Sequence, residues 1–206
     1  MKSIDKLLTG LHANYPSASC TLDHQNPLEL LVATILSAQC TDERVNGLTK
    51  DLFRKYRKAA DYVRVPREEL EQDIRPSGFF RNKAKSIAAA CEAILDRHAG
   101  EIPDRMVDLV QLAGVGRKTA NVLLGTWFGK PAITVDTHVK RLSGRMGLTR
   151  QTDPVKIERD LMQILPDGEW TFFSHGMILH GRQVCKARRP ECEGCFLVDD
   201  CPFPKK

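Results

Sequence analysis

Apolar positions along the chain recur three and four residues apart, and no sustained two-residue alternation interrupts them. That period belongs to helices with one buried face. Residues 5–15 place Leu7, Leu8, Leu11 and Tyr15 on one side. Asn26-Pro27 joins a capping side chain to a proline at the first helical position, opening an apolar helix to about Gln39. Thr41 or Asp42 caps the next, with Val45, Leu48, Leu52 and Tyr56 on its stripe. Further helices are predicted over 67–74, 82–98, 106–112, 117–127, 137–146 (capped by Asp136) and 170–180, and from Asp153-Pro154 onward with Ile157, Leu161, Ile164 and Leu165 inward. The one extended piece, 132–135, is too short to make a sheet. The pattern predicts an all-α fold held by packed apolar faces. Gly129-Lys130-Pro131 interrupts the helices and predicts a change of subdomain there.

Composition narrows the class. A chain of 206 residues suits one large domain or two small ones. Hydrophobic residues at 42% and charged residues at 28% exclude wholesale disorder and collagen-like sequence. The most apolar stretch, Leu30 to Leu36, spans seven residues, against the ~20 of a membrane-spanning helix. The first residues lack the apolar core and cleavage site of a secretory signal. The protein is expected to stay in the cytoplasm, away from membranes. Trp127, Trp170, Cys20, Cys40 and Cys91 read as core, and His138 and His180 as structural.

The net charge of +5 is uneven. Arg117, Lys118, Lys130, Lys140, Arg141, Arg145 and Arg150 crowd residues 111–150 with one acid, Asp136. Clustered positive charge on a near-neutral background suits a polyanionic partner such as nucleic acid. Four of the seven cysteines fall in the last 22 residues, at Cys185, Cys192, Cys195 and Cys201. A disulfide framework would spread them more evenly. Four thiolates in one short loop point to a metal, and the spacing alone leaves zinc and an iron–sulfur cluster open. Between Cys185 and Cys192 lie Lys186, Arg188 and Arg189, a candidate phosphate-binding edge.

Leu112-Ala113-Gly114-Val115-Gly116-Arg117-Lys118 reads as a helix, a tight two-glycine turn and a second helix. The glycines remove side chains and permit positive φ, so backbone N–H groups can face an anion. Lys118 sits in the first turn of the second helix, at the positive end of its dipole. Partial burial there would leave a neutral, nucleophilic amine; full exposure would make it an ordinary surface lysine. Asp136, in Val135-Asp136-Thr137-His138, is a helix cap, and a second role for its carboxylate is compatible with that only if one oxygen caps while the other faces Lys118.

These motifs together resemble the endonuclease III family of DNA repair glycosylases. The likeness runs from the N-terminal helix to Cys201 and rests on residues 37–42, 112–120, 135–138 and the cysteine loop, in that order. Ala113 stands where the family has proline. The resemblance implies a [4Fe–4S] cluster on Cys185, Cys192, Cys195 and Cys201. It implies a helix-hairpin-helix glycosylase fold of two helical subdomains, a barrel at 20–130 and a second domain of 1–19 with 131–206. It implies that Gly114, Val115, Gly116 and Arg117 bind the DNA backbone and that Gln39 and Phe79 enter the opened duplex. Lys118 would attack the sugar carbon of a damaged, oxidised pyrimidine and cut the strand by β-elimination, with Asp136 opposite it across a cleft. The expected partner is double-stranded DNA with damaged bases or abasic sites, bound by a monomer. The alternative is a non-catalytic helix-hairpin-helix DNA-binding module with a structural metal.

Overall fold

A computed structural model describes residues 3–203. Met1, Lys2 and the last three residues, parts of the expected second domain, lie outside the described residues. Eleven α-helices follow one another among the described residues, with no strand. They are α1 (Ile4–Asn14), α2 (Pro27–Leu36), α3 (Asp42–Lys55), α4 (Ala59–Arg64), α5 (Arg67–Asp73), α6 (Phe80–His98), α7 (Met106–Leu109), α8 (Arg117–Thr126), α9 (Thr137–Arg145), α10 (Pro154–Ile164) and α11 (Trp170–Gln183). The all-α expectation holds. No helix among the described residues is long and apolar enough to cross a membrane.

Helix starts follow their capping residues. Asn26 Oδ1 accepts from Glu29 N at 2.9 Å ahead of Pro27. Thr41, not Asp42, caps α3, and Asp153 Oδ1 accepts from Lys156 N at 3.0 Å. Each such bond contributes about 1 kcal/mol. Helix ends differ more from expectation. α2 stops at Leu36, because Gln39 takes a left-handed conformation (φ 54) that no helix continues through. α4 was not foreseen: it is six residues long and buries Ala59 and Tyr62, too few positions to show a period. α7 ends at Leu109, and its chain turns before the glycine corner.

The chain forms two compact units, one running from Cys20 to Gly129, the other built from the chain up to Ser19 and from Lys130 onward. In the first, α6 packs on α4 and α5 while α2 packs on α8, burying Leu30, Leu31, Ile87, Ile94 and Leu123. Each such side chain gains about 1.5–3 kcal/mol by leaving water. In the second unit, α11 packs between α1 and α9 over Leu7, Leu11, Val139, Phe173 and Met177. Leu197, from the cysteine loop, joins this core. The segment 132–135 is buried as irregular chain, with Thr134 N–H donating to Ser174 Oγ at 2.9 Å.

Several expected core residues are elsewhere. Trp127 is 40% exposed, and its indole meets His24 edge-on. Trp170 is half-buried, its indole N–H donating to Leu165 O at 3.0 Å. Ile164, at the last position of α10, is exposed. Cys20 and Cys40 are half-buried and only Cys91 is fully enclosed, where burial pushes its thiol up to about 12.

Candidate functional site

The glycine corner between α7 and α8 is closed by Val115 N–H donating to Leu112 O at 3.1 Å. Gly114 has φ 77, and a Cβ there would stand 2.8 Å from Ser86 Cβ on α6. Only glycine meets both conditions. Gly116 differs: its φ is −87, and a Cβ would meet nothing within 4 Å. Nothing inside this unit requires glycine there, so the bare backbone faces open space that a ligand can approach closely. No side chain caps α8, which leaves its first N–H groups without a capping oxygen. Val115 is buried, so it can offer a ligand only its backbone. Arg117 and Lys118 are exposed. The partial burial considered for Lys118 is therefore not found. Among the described residues no hydrogen bond or ion pair holds its ammonium group.

Asp136 caps α9 from the other unit. Its Oδ1 accepts from both His138 N and Val139 N at 2.8 Å. Oδ2 takes no part in the cap.

Gln39 and Phe79 are both exposed, Phe79 by 64%, and both are left-handed, at φ 54 and φ 47. Phe80 beside it is half-buried. A bulky side chain held in this conformation outside a glycine is uncommon and strained. Lys83, four residues after Phe79, is 5% exposed and turned inward. Burial pulls its ammonium below the usual lysine range. Its place was legible: Lys83 shares the helical stripe of Ile87, Ala90 and Ile94.

The four cysteines of the tail line one pocket together with Met146, His180 and Leu197. Among the described residues no three His, Cys, Asp or Glu side chains converge on a point that would hold a single metal ion. Four cysteine thiols on one pocket are the donor set that an iron–sulfur cluster takes. Burial, and then the charges of the neighbouring sulfurs, push the Cys195 and Cys201 thiols up. A cationic cluster relieves that repulsion when it displaces the protons. His180 is fully buried behind them, its pKa lowered to about 4 by burial. Its Nδ1 meets Tyr15 Oη at 3.0 Å and its Nε2 meets Cys195 Sγ at 3.5 Å.

The sequence grouped Arg141 and Arg145 with the cations that face a polyanion. Both instead brace this loop. Arg145 donates to Lys186 O at 2.8 Å, Ala187 O at 2.7 Å and Cys185 Sγ at 3.3 Å, and lies over the Phe203 ring at 4.3 Å. Arg141 donates to Gly181 O and Cys185 O, each at 3.0 Å. A loop without a regular ladder needs donors for its carbonyls, and a guanidinium has five. Of the cations on the loop itself, Arg188 and Arg189 are exposed, while Lys186 is paired with Glu191.

Comparison with known proteins bears on all of these features. The HhH-GPD superfamily base excision DNA repair protein profile matches residues 32–167. The iron-sulfur binding domain of endonuclease III matches residues 185–201, the four cysteines and the loop between them. The Endonuclease III of Synechocystis sp. is 54% identical over 198 residues, 96% of this chain and 90% of its own. That of Bacillus subtilis is 48% identical over 202 residues, 98% of this chain and 92% of its own. A solved non-covalent Endonuclease III–DNA complex matches with a TM-score of 0.93 at 50% identity, over 98% of this chain and 95% of that chain. A trapped Endonuclease III–DNA covalent intermediate, an estranged-adenine complex, matches with 0.93 at 48% identity, over 100% of this chain and 98% of that chain.

Proposed function

The chain belongs to the endonuclease III family of base excision DNA repair proteins, and from that premise we propose that Lys118 and Asp136 carry its chemistry on oxidised pyrimidines in duplex DNA. The protein is a DNA glycosylase with AP lyase activity and carries a [4Fe–4S] cluster. Lys118, as the neutral amine, attacks the sugar carbon that bears the damaged base. The base leaves with the bond electrons and a proton, and the sugar ring opens to a Schiff base on the lysine nitrogen. Loss of a sugar proton then expels the 3′ phosphate by β-elimination. Asp136 stabilises positive charge that develops on the sugar and takes part in proton transfer through the oxygen its cap leaves free.

The observation that carries this reading is the place of Lys118 in the first turn of α8, directly behind a glycine corner open to a ligand, in a chain 48% identical to an Endonuclease III trapped as a covalent intermediate with DNA. A surface lysine in a purely binding module would serve as well anywhere on that face. Gly114, Gly116, Arg117 and the Val115 backbone take the DNA phosphates, which position the duplex without reading its sequence. Arg188, Arg189 and, less freely, Lys186 add a second phosphate contact. Gln39 and Phe79 fill the space left by the extruded base. Cys185, Cys192, Cys195 and Cys201 hold the cluster, which when bound cross-links the end of the chain and leaves no iron position open to substrate. The protein works as a cytoplasmic monomer on the nucleoid.

Borohydride reduction with DNA containing an abasic site tests the chemistry. Wild type forms a covalent complex and Lys118→Gln forms none. Absence of the complex with wild type leaves the DNA-binding module as the better account.

A further inference from the structure

Gln39 and Phe79 share a conformation that a free chain avoids, and Ala99 is the only other non-glycine residue with positive φ among the described residues. Left-handed residues persist where their surroundings over-determine them. For these two loops the surroundings meet at one atom. Leu36 O, the last carbonyl of α2, accepts from Lys83 Nζ at 2.8 Å. Ser77 O, two residues before Phe79, accepts from the same nitrogen at 2.8 Å. The backbone N–H of Lys83 donates to Phe79 O at 3.1 Å.

The carbonyls at the end of α2 make the point sharper. Ala33 O accepts from Ser37 N, Thr34 O from Ser37 Oγ and Ile35 O from Ala38 N. Leu36 O, just before the Gln39 loop, is met by Lys83. An apolar residue would fill the same buried space at lower desolvation cost. A buried ammonium is retained where its directed donors fix carbonyls that would otherwise drift.

We propose that Lys83 is a positioning residue that holds the Gln39 and Phe79 loops in fixed register, so that both side chains enter the opened duplex together. This rests on the reading that Gln39 and Phe79 fill the vacated space. Lys83 touches neither the sugar nor the base. Its loss therefore acts on base extrusion and spares chemistry on a sugar that already lacks its base.

The test compares Lys83→Met with wild type on two duplexes, one carrying thymine glycol or hydroxylated cytosine, whichever wild type removes faster, the other a pre-formed abasic site. A 2-aminopurine opposite the lesion reports displacement of the partner base. Excision is expected to fall roughly tenfold to a hundredfold, the scale on which a misplacement of about 1 Å costs rate. The 2-aminopurine signal falls with it, and cleavage at the abasic site stays near wild type. Adding Phe79→Ala to Lys83→Met costs no more than Phe79→Ala alone, because the lysine acts through that loop. Lys83→Gln, which keeps a neutral donor, falls between and carries the test if Lys83→Met loses cluster absorbance. Equal losses on both duplexes, or losses that multiply in the double variant, overturn the proposal. Normal excision by Lys83→Met beside a defective Phe79→Ala overturns it alone. Normal excision by Phe79→Ala overturns the wedge reading beneath it.

Discussion

Gly114 and Gly116 stand two residues apart and answer to different demands. Gly114 is fixed by its own fold, through a positive φ and the close approach of Ser86. Gly114→Ala should destabilise the protein by about 1–2 kcal/mol for the left-handed backbone alone, with more from the contact. Urea unfolding would show it. Gly116 has ordinary φ and open space around it. Gly116→Ala should cost at most about 1 kcal/mol, the loss of a favourable N-cap glycine, while weakening DNA binding. A Gly116→Ala protein that binds normally would mean the corner does not meet phosphate. The sequence marked both glycines as one motif. It could not separate them, because the separation lies in Ser86, 28 positions away in the chain. Asp136 was more legible: a cap needs one short acidic side chain at one place, and α9 begins there.

Helices were legible at their starts and less so at their ends. Asn26, Thr41, Asp136 and Asp153 announce helices by chemistry local to a few residues. The last carbonyl of α2 is met by Lys83 from another helix, and no local pattern records that contact. The same limit misplaced two arginines. A count of formal charge sees Arg141 and Arg145 as surface cations, although carbonyls of the cysteine loop hold both. The distinction is measurable. Arg188→Ala and Arg189→Ala should each weaken DNA binding and lower the salt slope by about one counterion. Arg145→Met frees the carbonyls of Lys186 and Ala187 and loosens the loop, so cluster absorbance should bleach faster in air. Its salt slope should stay at the wild-type value. A slope lowered by a full counterion would return Arg145 to the DNA surface.

For the whole molecule, the all-α class and the metal were written in period and spacing, while the choice between zinc and iron–sulfur was not. The match of residues 185–201 to the iron-sulfur binding domain of endonuclease III makes that choice. The loop also contributes Leu197 to the core of α1, α9 and α11. Cys201→Ser should therefore lower iron content and thermal midpoint together, the latter by about 2–4 °C for each ~1 kcal/mol lost. Iron loss with an unchanged midpoint would show that the cluster does not support this unit.

The central claim is that one lysine performs both base removal and strand cleavage. Proteolysis and tandem mass spectrometry of the complex trapped by borohydride on DNA that still carries the damaged base test it most directly. The deoxyribose adduct should map to the peptide containing Lys118 and to its side-chain nitrogen. An adduct on a different lysine or on the terminal amine would contradict the account.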